Sequence, residues 1–153
     1  MHHVVIGAGP SGVVAAETIR KLDPSAGVTL IGGEPEPPYS RMAIPYLLID
    51  QIDESGTYLR RDESHFNSNY VEYKQAQVEH IRRGDNTLEL SNGTKMSYDR
   101  LLIATGSTPV KPPIPGVDCE GVSHCWTLND ARKIIEKTQE GSRVVLMGAG
   151  FIG

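Results

Sequence analysis

The sequence predicts an α/β fold in which a parallel sheet is combined with an antiparallel β-meander. A short apolar run, His2–Ile6, stops at Gly7, and apolar residues then recur at helical spacing as far as Leu22. A second apolar run covers Val28–Ile31. Strand, helix and strand within about 30 residues form a βαβ unit, whose strands are parallel and joined by a right-handed crossover.

Four short runs further along the chain predict the meander. The first turn signal between them is Gly84-Asp85-Asn86, and the second, Asn92-Gly93, is typical of a type I′ hairpin. We expect the last part of the fourth run, Leu101–Ile103, to be a buried strand. The runs are Gln77–Ile81, Thr87–Leu90, Lys95–Tyr98 and Arg100–Ala104.

Prolines mark a division of the chain into residues 1–110 and 111–153. Pro109, Pro112, Pro113 and Pro115 are typical of a linker. Beyond them the spacing predicts a helix over Leu128–Gln139, capped by Thr127 or Asn129, and a buried strand over Val144–Met147.

Composition and charge exclude several classes of function. The net charge is −4 with acids and bases interspersed, so nucleic acid is not an expected partner. No apolar run approaches the roughly 18 residues that cross a bilayer, and the N-terminus lacks the basic segment of a signal peptide. We therefore expect no membrane association and a cytoplasmic location.

Cysteines and histidines give no sign of a metal or disulfide site. Cys119 and Cys125 are six residues apart, which fits neither a redox C-x-x-C pair nor a zinc pair. His65, His80 and His124 are not spaced with acids or cysteines as metal ligands. We expect no metal.

The turn after the first predicted strand carries a glycine fingerprint, Gly7-Ala8-Gly9-Pro10-Ser11-Gly12. In this G-x-G-x-x-G pattern Gly7 permits a tight turn, Gly9 lets the backbone approach a pyrophosphate, and Gly12 lets the helix lie close to the sheet. Pro10 and Ser11 begin the helix, whose unpaired N–H groups attract phosphate. The pattern predicts a dinucleotide site.

An acid follows the second predicted strand, Glu34, 22 residues after Gly12. Its carboxylate can accept hydrogen bonds from both hydroxyls of an adenosine ribose, and it would repel a 2′-phosphate. Glu36 lies nearby and could take the same role. These residues do not separate FAD from NAD.

Two further motifs resemble those of the FAD-dependent pyridine nucleotide-disulfide oxidoreductase superfamily. Tyr98–Gly106 ends in Ala104-Thr105-Gly106, similar to the family's A-T-G signature, and a second fingerprint follows at Gly148, Gly150 and Gly153. The order of the three motifs matches the family. The resemblance implies a Rossmann-like three-layer FAD/NAD(P)-binding fold. Residues 1–110 would be the N-terminal part of the FAD domain, and residues 111–153 a linker and the start of an NAD(P)H domain.

The segment Pro38-Tyr39-Ser40-Arg41 resembles the P-Y-x-R segment of the ferredoxin-, rubredoxin- and nitrite-reductase-like branch. The resemblance implies that Arg41 lies against the FAD phosphates or adenosine and that the backbone of Val78 contacts adenine. It also implies that the backbone of Ala104–Gly106 passes near FAD.

This sequence departs from the family's motifs at the positions of its reactive cysteines, which excludes thiol chemistry there. The disulfide reductases carry C-x-x-x-x-C after the second strand, and this chain has no cysteine before Cys119. Met42 stands where another branch has its reactive cysteine, and a thioether cannot form a thiolate. Tyr46 stands where the ferredoxin-reductase branch often has a lysine. We expect no catalytic side chain.

The resemblance implies an oxidoreductase that passes electrons from NAD(P)H through FAD to a redox protein or a small-molecule acceptor. The sequence stops at the third glycine of the second fingerprint. We therefore expect the 153 residues alone to be inactive, and able to form a homo-oligomer or strand-exchanged dimer. The alternative is a stand-alone module that binds FAD or another adenine nucleotide without turnover.

Overall fold

The computed structural model describes residues 1–62 and 64–148. Contacts divide the chain into two units, Met1–Thr108 and Pro109–Gly153, which are described separately. The described strands are β1 His2–Ile6, β2 Gly27–Gly32, β3 Glu72–Gln75, β4 Val78–Arg82, β5 Thr87–Leu90, β6 Lys95–Ser97 and β7 Arg100–Ile103. The described helices are α1 Pro10–Leu22, α2 Ile44–Leu48, α3 His65–Ser68 and α4 Leu128–Lys137, with 3-10 turns at Arg41–Ala43 and Glu54–Thr57.

A parallel sheet and a small antiparallel sheet make up the first unit. The parallel sheet has the strand order β3-β2-β1-β7, and α1 connects β1 to β2. The antiparallel sheet has the order β4-β5-β6. The predicted βαβ unit and meander are confirmed, except that the meander has three strands because β7 joins the parallel sheet beside β1.

The side chains of β1 alternate between the two faces of the parallel sheet. Val5 packs with Val13 and Ala16 of α1, whereas Val4 packs on the opposite side with Leu88 of the meander. Because successive residues of a strand point to opposite faces, one short apolar strand supplies both cores. Helix, sheet and meander form three layers, as the resemblance implied.

β7 corrects the prediction of a buried final strand. Leu102 and Ile103 are 42% and 59% exposed. Among the described residues β7 pairs only with β1, so its other edge carries no neighbouring strand.

The Asn92-Gly93 turn also differs from its prediction. A type I′ turn needs a positive φ at both central residues, but here Gly93 has a φ of 79° and Asn92 is not among the positive-φ residues. The Asn92 side chain instead accepts a hydrogen bond from the Thr94 N–H, an Asx-type turn that competes with the type I′ geometry. The type I′ assignment was wrong.

An ionic cluster fixes the outer face of α1. The Glu17 carboxylate accepts hydrogen bonds from Nε and Nη2 of Arg60 at 2.7 and 2.6 Å, and it lies 2.9 Å from Nε2 of His65. Arg60 holds the pKa of the Glu17 carboxyl below its ordinary value, against the opposing effect of burial, and His65 adds to the lowering. The cluster joins α1 to the segment that leads into α3.

In the second unit, α4 begins with a capping box. The Thr127 hydroxyl accepts from the Asp130 N–H, and the Asp130 carboxylate accepts from the Thr127 N–H. The predicted cap at Thr127 is confirmed, but the helix ends at Lys137 because Thr138 is extended.

Val144–Met147 does not form the predicted strand. Its four side chains are between 67% and 94% exposed. A strand needs a partner for its backbone groups, and none of the described strands lies beside this segment. No described helix has the length and apolar character needed to cross a bilayer.

Candidate nucleotide-binding site

The first fingerprint turn lies at the carboxyl end of β1, between the ends of two neighbouring strands. The Gly7 N–H donates to Ile31 O of β2 at 2.8 Å, and the Ala104 N–H, just after β7, donates to Ile6 O at 2.7 Å. Crevices outside the carboxyl ends of parallel strands are where open α/β sheets bind ligands.

Two glycines of the turn are required by the protein itself. Gly7 has a φ of +108°, and a Cβ built there would lie 2.2 Å from Ala104 O. A Cβ on Gly12 would lie 1.8 Å from Gly7 O and 3.5 Å from the Leu30 side chain. Any larger residue at either position would push α1 or the β7 loop away from β1.

Gly9 is different, because the protein does not need its lack of a side chain. Its φ is −75°, and apart from adjoining backbone no described atom lies within 4 Å of a Cβ built on it. The space above Gly9 is therefore open. A glycine that leaves open space at a helix start suits the close approach of a ligand.

The same point is the N-terminus of α1. Gly9 is the N-cap and gives no side-chain cap, Pro10 occupies the first turn, and that turn has no acidic residue. Pro10 and Ser11 are exposed. The N–H groups of a first helical turn have no partner within the helix, so those of Ser11 and Gly12 are donors for an anion.

Glu34 lies in the loop after β2, and both of its carboxylate oxygens are engaged. Oε2 accepts from the Tyr39 hydroxyl at 2.6 Å, and Oε1 accepts from Nη2 of Arg41 at 2.7 Å. The side chain remains 35% exposed. Each carboxylate oxygen has a second acceptor position, so the carboxylate can still accept ligand hydroxyls. Glu36, the alternative from sequence, is buried.

Arg41 links two loops at this edge of the sheet. While Nη2 binds Glu34, Nη1 donates to Ser107 O at 3.3 Å. Burial acts to lower the pKa of the guanidinium, but Glu34 and Tyr39 outweigh it and raise that pKa. Arg41 therefore holds the loop after β2 to the loop after β7.

The A-T-G segment follows β7. Ala104 is half-buried, while Thr105 and Gly106 are exposed, and Gly106 has a φ of +72°. A Cβ on Gly106 would lie 4.0 Å from Nη1 of Arg41. The structure thus brings the A-T-G segment, Arg41 and Glu34 together.

Val78 begins β4, close to the end of β2. The Ala76 N–H, two residues earlier, donates to Gly32 O at 2.9 Å. The half-buried Val78 side chain packs against the cluster that contains Ile31.

The second fingerprint is described only at its first glycine. Gly148 has a φ of +121°, and no described atom lies within 4 Å of a Cβ built there. Gly150 and Gly153 lie outside the described residues.

Sequence reasoning missed the roles of two tyrosines. Tyr39 is the second residue of the Pro38–Arg41 segment, so its place in that motif was a usable signal. No sequence signal pointed to Tyr73, whose hydroxyl lies against Gly32. The pairing of β2 with β3 brings that hydroxyl to within 2.5 Å of a Cβ built on Gly32. Burial raises the pKa of Tyr73, and the charges of Glu34 and Glu36 add to that rise.

The family model described as pyridine nucleotide-disulphide oxidoreductase matches residues 1–153. The chain belongs to this family. It combines a glycine fingerprint after β1 with an acid, Glu34, after β2.

Similar proteins of this family are oxidoreductases by name. The NADH-dependent phenylglyoxylate dehydrogenase subunit epsilon of Aromatoleum evansii is 32% identical over 99% of this chain and 36% of its own length. The probable ferredoxin reductase CtmF of Castellaniella defragrans is 33% identical over 98% and 37%. The chain thus spans little more than a third of these relatives.

A solved structure shows the same fold. The water-forming NADH oxidase from Lactobacillus brevis, bound to NADH, superposes with a TM-score of 0.88 at 26% identity. The match covers 99% of this chain and 35% of the oxidase.

The first unit contains no cysteine. Met42 is exposed and lies in the 3-10 turn Arg41–Ala43. The two cysteines, Cys119 and Cys125, are free and exposed, and both lie in the second unit. Burial raises the pKa of the Cys125 thiol, and Asp130 adds to the effect. Among the described residues no group of three or more potential ligands could hold a metal ion.

Proposed function

We propose that the first unit binds the adenosine-diphosphate half of FAD at the fingerprint edge of the parallel sheet. The open space at Gly9, before the uncapped N-terminus of α1, carries this proposal. A ligand there meets donors for a diphosphate, and Glu34 lies after the neighbouring strand. The described residues therefore fit the group.

In this proposal the main chain binds the diphosphate and one carboxylate selects the sugar. Gly9 leaves room for the phosphates, and the N–H groups of Ser11 and Gly12 donate to them. Pro10 places α1 without adding a donor. The two remaining acceptor positions of Glu34 receive the ribose 2′- and 3′-hydroxyls.

The neighbouring loops complete the proposed site. Arg41 adds positive charge beside the phosphates or adenosine, and the Val78 backbone contacts adenine. The backbone of Ala104–Gly106 passes along the cofactor. We assign residues 1–110 to the FAD domain, and residues 111–153 to a linker and the start of the NAD(P)H domain, with Gly148, Gly150 and Gly153 as its phosphate loop.

We propose that the protein is an FAD-dependent NAD(P)H oxidoreductase. The fingerprint turn, Glu34 and Arg41 would hold FAD, which would supply the capacity to take a hydride from NAD(P)H and pass electrons to an acceptor. The protein's residues bind and orient the cofactor, and we assign none of them as acid, base or nucleophile. The relatives named as ferredoxin reductase and NADH oxidase support a redox protein or a small molecule as acceptor. We place the reaction in the cytoplasm.

A second candidate is a nucleotide-binding module without turnover. The exposure of Val144–Met147 favours it, because among the described residues this segment is not packed into a second sheet. Anaerobic NADH separates the candidates: bleaching of bound flavin supports the oxidoreductase, and flavin that stays yellow supports the module.

The variant Glu34→Arg tests the binding site. Losing two hydrogen bonds to a charged acceptor should weaken FAD binding about a hundredfold or more, measured by fluorescence titration of the full chain. Glu120→Arg makes the same charge change at an exposed residue of the other unit and should leave affinity unchanged. Equal affinities of Glu34→Arg and the unaltered protein would refute the ribose role.

A further inference from the structure

Tyr39 is a buried residue that contacts Glu34 in the proposed ribose site. Its hydroxyl donates to Oε2 of Glu34 at 2.6 Å. Tyr39 is 6% exposed, whereas the Glu34 side chain is 35% exposed. The buried Tyr39 side chain thus donates a hydrogen bond to the partly exposed Glu34 side chain.

The position of Tyr39 does not depend on Glu34. Its backbone forms an antiparallel bridge with Tyr58. On either side of it, the Leu59 N–H donates to Pro38 O and the Ser40 N–H donates to Thr57 O, both at 2.9 Å. Because the main chain is held on both sides and the side chain is buried, the Tyr39 hydroxyl has little freedom to move.

Arg41 fixes the other carboxylate oxygen. Its Nη2 donates to Oε1 at 2.7 Å, and its Nη1 is held by Ser107 O. With one donor on each oxygen, the carboxylate plane of Glu34 cannot rotate freely.

We propose that Tyr39 and Arg41 are positioning residues, which hold the Glu34 carboxylate in the orientation that accepts the ribose hydroxyls. This inference rests on the ribose role proposed above. A flexible glutamate would lose side-chain entropy on binding, and a glutamate already held in place loses less. Tyr39 itself does not touch the sugar.

The test compares two adenine nucleotides that differ only at the sugar. Calorimetric titration of the full chain with ADP and with 2′-deoxy-ADP gives a ratio of affinities that reports the 2′-hydroxyl contact. We expect ADP to bind the unaltered protein about tenfold more tightly. Tyr39→Phe, which deletes only the hydroxyl, should reduce that ratio to about threefold or less.

The chain offers a matched control. The Tyr58 hydroxyl donates to Oε1 of Glu54 at 3.2 Å, on the other side of the same bridge. Tyr58→Phe makes the identical chemical change without touching Glu34, and its ratio should equal that of the unaltered protein.

The outcomes separate the two proposals. A normal ratio in Tyr39→Phe overturns the positioning role and leaves ribose binding intact. A ratio near one in the unaltered protein overturns the ribose role of Glu34 and the positioning role with it. If circular dichroism shows that Tyr39→Phe does not fold, Arg41→Lys replaces it, because lysine keeps the charge and loses the planar fork. A reduced ratio in that variant supports the proposal, and an unchanged ratio overturns it.

Discussion

The two fingerprint segments are identical at five of nine positions, but their described apolar residues differ greatly in burial. Val4–Gly12 reads VVIGAGPSG, and Val145–Gly153 reads VLMGAGFIG. The first glycine has a positive φ in both, +108° at Gly7 and +121° at Gly148. Yet Val4–Ile6 are at most 8% exposed, whereas Val145–Met147 are at least 67% exposed.

The difference shows which property is local and which is not. The backbone of the turn follows from its own glycine, since only glycine enters this region without strain. Burial follows from neighbours: β1 has β2 and β7 on its two sides, while no described strand flanks Val145–Met147. At the first fingerprint, the flanking strands also supply the loops that carry Glu34 and Ala104–Gly106.

The largest expected effect contrasts two glycines within the first fingerprint. Gly12→Ala should lower the free energy of unfolding by about 3 kcal/mol, because its Cβ meets Gly7 O at 1.8 Å. Gly9→Ala should lower it by less than about 1 kcal/mol, the cost of a poorer N-cap. Urea denaturation measures the unfolding free energy of both variants. Equal losses of stability would contradict the finding that a Cβ on Gly9 has open space around it.

The next effect compares equivalent positions of the two fingerprints. Val5→Ala should lower the free energy of unfolding by about 2 kcal/mol, because Val5 is fully buried in the core between the parallel sheet and α1. Leu146→Ala, at the matching position, should change it by no more than about 0.5 kcal/mol. A comparable loss in Leu146→Ala would show that the second segment is packed in solution.

The smallest effect concerns the helix after the first fingerprint. Glu17→Gln should cost about 1 kcal/mol at pH 7, because solvent screening limits the value of this partly exposed pair. The folded-state pKa of Glu17 is depressed, so its stabilisation is present above its ordinary value of 4.5 and is lost as pH falls through the folded-state pKa. The stability gap between the variant and the unaltered protein should therefore shrink below pH 4.5 in thermal unfolding scans. A gap that grows there contradicts the assignment.

Local signals in the sequence were sufficient for the βαβ unit, the meander turns' positions and the Thr127 cap. They were insufficient for β7, because the edge position of Ile103 depends on which strands lie beside it. The positions of Gly7, Gly9, Gly12 and Glu34 in the turns after β1 and β2 could likewise be predicted from spacing within one βαβ unit. Their binding roles remain predictions.

The contacts of Tyr39 and Tyr73 could not be predicted in that way. The Tyr39–Tyr58 bridge and the β2–β3 pairing join residues far apart in sequence, and no spacing rule encodes them. The type I′ prediction for Asn92-Gly93 was wrong for another reason. The Asn92 side chain accepts a hydrogen bond from the Thr94 N–H, which the dipeptide signal does not take into account.

The most direct test of the nucleotide site is an amide ¹H–¹⁵N spectrum of the chain titrated with FAD. If FAD binds at the first fingerprint, the amides of Gly9, Ser11 and Gly12 should show the largest shifts, and Gly148 should change little. Unmoved fingerprint amides at saturating FAD, with shifts elsewhere on the surface, would contradict binding at this site.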